Sequence, residues 1–333
     1  MAIESSCDET SAAVLCGDKV LSNIIATQKV HEKYGGVVPE LASRAHQVNI
    51  LPVVQQALEE AAVNVSQLNA VAVTQGPGLM GSLLVGVSFA KSLSLSLNIP
   101  LIAVHHMKAH VLAHFIRKSD DQLVPEFPFL CLTVSGGHTQ IVRVNHPTSM
   151  EVMAETIDDA AGEAFDKAAK VLGLPYPGGP LIDRHASLGD HTKYQFPMPK
   201  LDGLKYSFSG LKTSLLYFLR DRKAENPDFI QKELNHICAS YQYTIVSYLL
   251  KNFSRAIEET GIHQICLAGG VSANSLLRKS FHELAEKKGC RAFIPDFQFC
   301  TDNAAMIGIA AYYQYLNGDF TDLNWAPKAH WKI

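Results

Sequence analysis

One pattern occurs twice in this chain and constrains the fold more than any other: a buried strand, a polar turn, then a second strand. It is present in "MAIESSCDETSAAVL" at residues 1–15 and in "FLCLTVSGGHTQIVRV" at residues 129–144. Apolar runs on both sides of a short polar turn predict a β-hairpin. Two halves that each begin with such a hairpin indicate a duplicated architecture.

The remaining segments alternate between strand-like and helix-like patterns, which predicts an α/β fold. Helical patterns cover residues 41–62, the stretch after "GPGLMG" to about Leu97, 161–172, 209–223, 231–259, 273–288 and 302–316. A polar, proline-bearing stretch near residue 120 resembles a domain border. We therefore expect an N-terminal lobe of residues 1–120, a C-terminal lobe of 121–309, and a segment from about 310 to 333 that packs back on the first lobe. The Gly- and Pro-rich stretch 173–206 predicts a long functional loop.

Composition excludes several classes of protein. The chain of 333 residues has a net charge of −3, so it lacks the overall basic charge of a dedicated nucleic-acid-binding protein. Its 7 cysteines form no C-x-x-C pair, which argues against a zinc ribbon and against a disulfide framework. The polar start is unlike a signal peptide, and Lys91 and several serines interrupt the most apolar region, 83–104. We expect a soluble, cytoplasmic protein with no membrane span.

The histidines of "VHHMKAH", residues 104–110, raise the question of a metal site. His106 and His110 would share one face of a helix, at a spacing common among metal ligands. Asp302 in "FCTDNAAMIG" is the candidate third ligand. The same residues are equally compatible with a polar helix start that has a spare histidine, His105, and with a helix cap at Asp302. Met107 stands where a zinc protease would have its glutamate.

Three glycine or hydroxyl-rich turns, "SSCDET", "VSGGHT" and "LAGGVSANSLL", favour a nucleotide cleft when they are taken together. Each alone is equally typical of an ordinary turn, and Ser272 or Asn274 would simply cap a helix. Carboxylates beside the glycine turn of 161–186 suit ribose hydroxyls, although a solvated helix face explains them as well. A basic strip within 205–223 that includes Tyr206 and Phe208 suits RNA, but a solvated face is the favoured interpretation.

Eight motifs in order give the chain a specific resemblance: "ESSCDET", "GPGLMGSLLVG", "HHMKAH", "VSGGHTQI", "DDAAGEAFDKAAKVLGLPYPGGP", "SFSGLKT", "AGGVSANSLLR" and "CTDNAAMIG". They resemble the TsaD family of tRNA threonylcarbamoyladenosine transferases, once described as O-sialoglycoprotein endopeptidases. The resemblance implies the two-lobed α/β fold of actin, Hsp70 and sugar kinases (ASKHA), with a nucleotide cleft between duplicated lobes. It also implies transfer of a threonylcarbamoyl group from threonylcarbamoyl-AMP to N6 of the adenosine 3′-adjacent to the anticodon, in tRNAs reading ANN codons.

The resemblance also implies roles for individual residues. His106, His110 and Asp302 would hold one divalent metal ion, Fe²⁺ first and Zn²⁺ as the alternative, and Asp8 would be the catalytic carboxylate. The residues implied in substrate binding are Thr133, Val134, Ser135, Gly136 and Gly137 for the pocket and Asp166, Gly179, Asp183 and Asn274 for the adenylate. The implied partners are tRNA, a paralogous TsaB-like subunit of the same fold and a small TsaE-like P-loop ATPase.

Two departures from the family pattern and three rival functions bear on this prediction. The family usually has several residues ahead of "ESSCDET", where this sequence has Met1–Ile3, and it often has Glu-Gly in place of Lys108 and Ala109.

A metalloprotease would need a base in place of Met107. A small-molecule kinase would not need the His106, His110 and Asp302 set, and an inactive scaffolding paralogue would be expected to lose it. The transferase is therefore the predicted function.

Overall fold

Two five-stranded sheets form the framework of the protein in the computed structural model, which describes residues 1–119, 121–199 and 201–333. The strands of the first sheet are β1 Ala2–Glu4, β2 Glu9–Cys16, β3 Lys19–Thr27, β4 Val71–Gly76 and β5 Leu101–His105. The strands of the second are β6 Phe129–Val134, β7 Thr139–His146, β8 Ser149–Glu155, β9 Gln264–Ala268 and β10 Arg291–Phe293.

The two sheets have the same topology. The first has the order β3-β2-β1-β4-β5 and the second, read in the same sense, β8-β7-β6-β9-β10. In each sheet the first strand pairs antiparallel with the second and parallel with the fourth. The duplication inferred from the two hairpins is therefore confirmed at the level of strand order.

Nine helices of the α type lie among the described residues: α1 Pro39–Glu60, α2 Met80–Leu97, α3 His106–Leu112, α4 Ala161–Val171, α5 Gly178–Ala186, α6 Ser209–Glu225, α7 Phe229–Thr260, α8 Ser275–Lys288 and α9 Ala304–Leu316. The helical patterns of the sequence are all confirmed, with bounds that differ by a few residues. The expectation of one long loop over 173–206 is wrong, because α5 forms within it. Its buried Gly178, Ile182 and Ala186 are spaced by four residues and place one face of this short helix in the core.

The chain divides into two compact units whose bounds differ from the predicted lobes. The first unit comprises Met1–Pro125, Asn145–Met150 and Pro295–Ile333, and the second comprises Glu126–Val144 and Glu151–Ile294. The return to the first unit begins at Pro295 rather than at about 310, because α9 as a whole packs against strands β1, β2, β3 and β5. Asp302, expected in the second lobe, thus belongs to the first unit.

Helix α2 is long and apolar enough to cross a membrane by length and composition. Its buried residues, Ser82, Leu83, Gly86, Val87, Ala90 and Ser94, recur at helical spacing. That one-sided burial is the pattern of a helix packed on a sheet, and α2 contacts β4 and α1. A single helix of this kind is therefore weak support for a membrane span.

The turn between β4 and α2 holds the first hairpin in place. Within "GPGL", Leu79 N–H donates to the carbonyl of Ser6 at 2.7 Å. A Cβ atom on Gly78 would lie 2.5 Å from that same carbonyl oxygen and 2.7 Å from Ser6 Cβ. Gly78 is thus needed because only a residue without a side chain lets this turn approach the backbone of the "SSCDET" segment.

We predict that Gly78→Ala destabilises the protein by about 1–3 kcal/mol, because the added methyl group forces the turn away from Ser6. Gly210→Ala is the matched control: Gly210 is in α6, and a Cβ there meets no atom within 4 Å. The control is expected to raise stability by up to about 1 kcal/mol. Urea unfolding followed by circular dichroism measures both variants, and equal stability of the two would contradict the need for glycine at position 78.

Candidate metal centre

Helix α3 presents the two histidines that the sequence placed on one helix face. It starts at His106, immediately after β5, so the end of a buried strand fixes its position. His105, the spare histidine, is the helix cap: its Nδ1 accepts a hydrogen bond from Met107 N–H at 3.2 Å. Burial, with smaller contributions from Lys108 and His106, lowers the pKa of His105 to about 4. His105 therefore remains neutral and has a structural role.

Asp302 does not cap helix α9, which was the alternative to its predicted role as a metal ligand. Helix α9 begins at Ala304, and its cap is Asn303, whose side-chain oxygen accepts from Met306 N–H at 3.0 Å. The Asp302 carboxylate faces the histidines instead. Its Oδ1 lies 3.1 Å from His110 Nε2 and 3.4 Å from His106 Nε2.

The three side chains form a compact set of potential ligands. One donor atom from each of His106, His110 and Asp302 lies within 4.8 Å of the others. The two imidazole rings are nearly perpendicular, with centroids 4.7 Å apart. Two imidazole nitrogens and one carboxylate oxygen are a donor set that suits zinc or iron. The residues present therefore fit such an ion, and their role as its ligands stays a prediction.

Glu4, which sequence reasoning missed, extends this cluster. It is fully buried at the end of β1, and its Oε2 lies 3.1 Å from Nδ1 of His106. Thr74 Oγ–H donates to the same oxygen at 2.5 Å, and Ser6 N–H donates to Oε1 at 2.5 Å. The available clue in the sequence was an acidic residue at the end of an otherwise apolar strand.

Burial and opposite charges compete in setting the pKa values of this cluster. Burial alone would lower the pKa of His106, but the charges of Asp302 and Glu4 outweigh it and raise that pKa well above its ordinary value. Burial alone would raise the pKa of Asp302, whereas His106 and His110 hold it well below its usual range. The Glu4 carboxyl behaves in the same way, with its pKa lowered chiefly by His106.

The turn with Asp8 and Glu9 is braced by His46 from α1. Nδ1 of His46 lies 2.8 Å from Thr10 Oγ1, and its Nε2 donates to the carbonyl of Cys7 at 3.0 Å. These two contacts bracket Asp8 and Glu9. Burial, followed by the charges of Asp302 and Asp8, raises the pKa of Glu9 well above its ordinary value. The turn therefore places a carboxyl group of raised pKa, that of Glu9, next to Asp8.

In the second unit, the predicted substrate residues lie on the β6–β7 hairpin. Thr133 and Val134 are buried at the end of β6, and the turn closes through Ser135 N–H donating to the His138 carbonyl at 2.8 Å. Gly162 at the start of α4 donates its N–H to the Ser135 carbonyl at 3.1 Å. A Cβ on Gly136 or Gly137 would meet no atom within 4 Å, so this turn has open space beside it. A glycine turn next to a helix N-terminus is a suitable place for an anion.

The predicted adenylate residues are linked by hydrogen bonds. Asp166 Oδ1 accepts from the N–H groups of Gly178 and Gly179 at 2.8 and 3.2 Å, at the start of α5. Asp183, one turn further along α5, accepts from Ser275 N–H at 3.0 Å. Asn274 caps α8 by accepting from Leu277 N–H at 2.9 Å. Of the two capping candidates in this turn, Asn274 is thus the cap, and Ser272 is not.

Gln242 of α7 joins the last two of these residues and was missed by sequence reasoning. Its Nε2 donates to Asp183 at 3.1 Å, and its Oε1 accepts from the Asn274 amide at 2.9 Å. It is buried in a long amphipathic helix, where a single glutamine gives no distinctive pattern.

The basic strip of 205–223 is not an aromatic platform for RNA. Tyr206 and Phe208 are fully buried, so their rings cannot stack on bases. Arg220 and Arg222 pair with Asp221 and Glu225. The basic strip is therefore a solvated surface, which was the favoured interpretation of its sequence.

Comparison with known proteins identifies the relatives of this chain. Residues 19–309 match the family model described as tRNA N6-adenosine threonylcarbamoyltransferase. Proteins of that name are 60% identical in Christiangramia forsetii, over 100% of this chain and 98% of the relative, and 56% identical in Porphyromonas gingivalis, over 98% and 96%. The relative in Thermosipho africanus is 48% identical over 97% of this chain and 96% of its own length.

Solved structures of distant proteins share the fold. Full-length HypF in its phosphate- and nucleotide-bound form superposes with a TM-score of 0.55 at 15% identity, over 95% of this chain and 47% of HypF. The activator of 2-hydroxyisocaproyl-CoA dehydratase from Clostridium difficile with bound ADPNP gives 0.51 at 13% identity, over 96% of each chain. These likenesses establish the ASKHA type of fold. The family model and the full-length sequence identity show that the chain belongs to the tRNA N6-adenosine threonylcarbamoyltransferase family.

Proposed function

We propose that this protein transfers a threonylcarbamoyl group from threonylcarbamoyl-AMP to N6 of an adenosine in tRNA. The adenosine is the one 3′-adjacent to the anticodon in tRNAs that read ANN codons. The observation that carries the proposal is the convergence of His106 Nε2, His110 Nε2 and Asp302 Oδ1 in a member of this transferase family.

The metal ion that His106, His110 and Asp302 would hold is Fe²⁺ or Zn²⁺. When bound there, it supplies a Lewis acid that polarises and orients the group to be transferred. The three ligands belong to one unit and are anchored by β5, α3 and the segment before α9. Their arrangement is therefore largely preorganised by the fold, which is what a catalytic site requires.

The nucleotide part of the donor is assigned to the second unit. The open turn at Gly136 and Gly137, beside the start of α4, supplies backbone N–H groups for the phosphate. Asp166, Asp183 and Asn274 surround the start of α5 and of α8 and suit the ribose and base. Gln242 aligns the side chains of Asp183 and Asn274 through its two hydrogen bonds.

Asp8 is the proposed acceptor of the proton that leaves the attacking N6 amine. It lies in the turn braced by His46, next to Glu9, whose pKa is raised mainly by burial. Glu9 in its protonated form donates rather than competes for the proton, so Asp8 is the member of the pair suited to act as the base.

The rival functions receive less support. Met107 is buried and apolar at the position of a zinc protease base, so hydrolysis by the protease mechanism lacks its proton acceptor. A kinase of this fold would have no use for the histidine and aspartate set. A TsaB-like subunit of the same fold and a TsaE-like ATPase are the proposed partners, and the net charge of −3 is consistent with partners that supply part of a tRNA-binding surface.

Removal of the metal ligands tests the proposal directly. Wild-type protein purified without oxygen should contain about one iron or zinc ion per chain by elemental analysis. The His106→Ala/His110→Ala variant should contain none, and its transfer rate should fall at least about 100-fold, because a Lewis acid contributes several kcal/mol to the barrier. His282→Ala, an exposed histidine on α8, is the control and should retain metal and activity. A double variant that keeps its rate would contradict the proposal.

Asp8→Asn tests the base. The amide nearly preserves shape but cannot accept the proton, so we expect transfer to fall by about 10²–10⁴-fold. Metal content and donor binding should be unchanged. Asp202→Asn, at an exposed position in the second unit, is the control and should stay within about twofold, as is usual for exposed sites. Undiminished transfer by Asp8→Asn would exclude Asp8 as the base.

Gln242→Leu tests the donor site. Loss of the amide leaves Asp183 and Asn274 without their shared partner, so we expect unfolding stability to fall by about 1–3 kcal/mol. We also expect affinity for AMP, measured by calorimetry, to fall about tenfold, the equivalent of about 1.4 kcal/mol. Gln231→Leu, on the exposed part of the same helix, should change neither quantity. If Gln242→Leu binds AMP as tightly as the wild type, Gln242 has no role in donor binding.

A further inference from the structure

The buried carboxylate of Glu4 is the starting point for a further inference. Glu4 is completely inaccessible to solvent, and a carboxylate in that position is costly unless its oxygens receive hydrogen bonds. Oε1 accepts from Ser6 N–H, and Oε2 accepts from Thr74 Oγ–H and faces His106 Nδ1. His106 is the one of these three partners that also belongs to the candidate metal centre.

The contact fixes which nitrogen of His106 bears the proton. A carboxylate only accepts hydrogen bonds, so Nδ1 at 3.1 Å from Oε2 must be the N–H nitrogen. The Nε2 lone pair of the neutral ring then points away from Glu4. It faces Asp302 Oδ1 at 3.4 Å, in the direction of His110. The ring is thus held in the tautomer and orientation that a metal ligand needs.

The second histidine has no comparable support. Nδ1 of His110 is buried and makes no hydrogen bond within the part of the chain that the structure describes. His110 is therefore oriented by its packing in α3 and by the contact of its Nε2 with Asp302 Oδ1 at 3.1 Å, with no hydrogen bond at Nδ1 to support it. Of the two histidines, His106 is thus the one whose Nδ1 has a hydrogen-bond partner among the described residues.

We propose that Glu4 is a positioning residue of the metal centre, which acts by holding Nδ1–H of His106 and thereby aims Nε2 at the ion. This inference rests on the metal site proposed above. Glu4 does not touch the ion or the substrate, and its effect is transmitted through the imidazole ring.

Replacement by glutamine reverses the hydrogen-bond pattern. The backbone N–H of Ser6 requires an acceptor, so the glutamine oxygen must take the position of Oε1. The amide NH₂ then faces Thr74 and His106. Thr74 can accept through its hydroxyl, and His106 can accept only if its Nδ1 loses the proton and Nε2 gains it. A protonated Nε2 cannot bind a metal ion. If Nδ1 instead keeps its proton, Ser6 Oγ at 3.2 Å is the acceptor left to it, and the ring loses the carboxylate that orients it. Both results weaken metal binding without changing side-chain size.

The test compares Glu4→Gln with Thr74→Val, which removes a different hydrogen bond to the same carboxylate. Zn²⁺ affinity is measured by competition with a chelating dye, and Co²⁺ binding by its d–d absorption. We expect Glu4→Gln to weaken Zn²⁺ binding about 10–100-fold, the usual effect of removing such a partner. Thr74→Val leaves the Glu4 carboxylate facing Nδ1–H of His106, so it should weaken Zn²⁺ binding by less than about fivefold.

Unfolding of the metal-free proteins separates positioning from a merely structural role. A structural role predicts that metal-free Glu4→Gln loses stability and that Zn²⁺ affinity falls only in proportion, in both variants alike. A positioning role predicts the selective loss of affinity in Glu4→Gln, with transfer restored by excess Zn²⁺. If Glu4→Gln does not fold, Glu4→Asp replaces it, since the shorter side chain withdraws the carboxylate from His106 and should also weaken binding.

The outcomes distinguish failure of the metal site from failure of the positioning role. If the wild type binds neither Zn²⁺ nor Co²⁺ tightly, the proposed metal site itself fails. If the wild type binds them and Glu4→Gln binds within about twofold of it, the site stands and the positioning role of Glu4 is overturned, because loss of such a partner weakens binding far more. The same conclusion follows if Glu4→Gln and Thr74→Val weaken binding equally.

Discussion

The first unit is organised around a series of polar contacts from the fully buried Glu4 through His106 to the partly exposed Asp302. A buried carboxylate is strongly destabilising when it lacks partners, and the imidazole of His106 is the partner that these two carboxylates share. The three residues come from β1, α3 and the segment before α9, which are far apart in the chain. These contacts therefore join a strand, a short helix and a returning C-terminal segment.

Several features of this arrangement were predictable from the sequence because they depend on local patterns. The two hairpins, the long helices and the four-residue spacing of His106 and His110 all follow from periodicity and turn chemistry. The pairing of Asp302 with those histidines was one of two interpretations of the residues alone, and the family resemblance favoured it, since no local pattern brings together residues separated by most of the chain. In the isolated sequence a helix cap at Asp302 was an equally good interpretation.

The features that sequence reasoning missed are those decided by tertiary contacts. Helix α5 is short, follows Pro177, and contains two glycines and Pro180 in its first turn, so its start has weak helical preference. It forms because Ile182 and Ala186 are buried, because it packs on α7, and because Asp166 accepts hydrogen bonds from its first N–H groups. Glu4 and Gln242 were missed for a related reason: a buried polar residue is informative only when its partners are known.

Charge balance gives a final reason to connect Glu4 with a divalent ion. Glu4 and Asp302 both have lowered pKa values and are therefore anionic, whereas burial and neighbouring carboxylates keep the pKa of Glu9 raised. A proton on His106 balances one of the two negative charges. A divalent cation beside neutral His106 and His110 balances both, and a neutral buried cluster has a smaller desolvation penalty than a charged one. In the proposed metal centre, the Glu4 carboxylate would therefore contribute to affinity in two ways, by orienting His106 and by supplying the second negative charge.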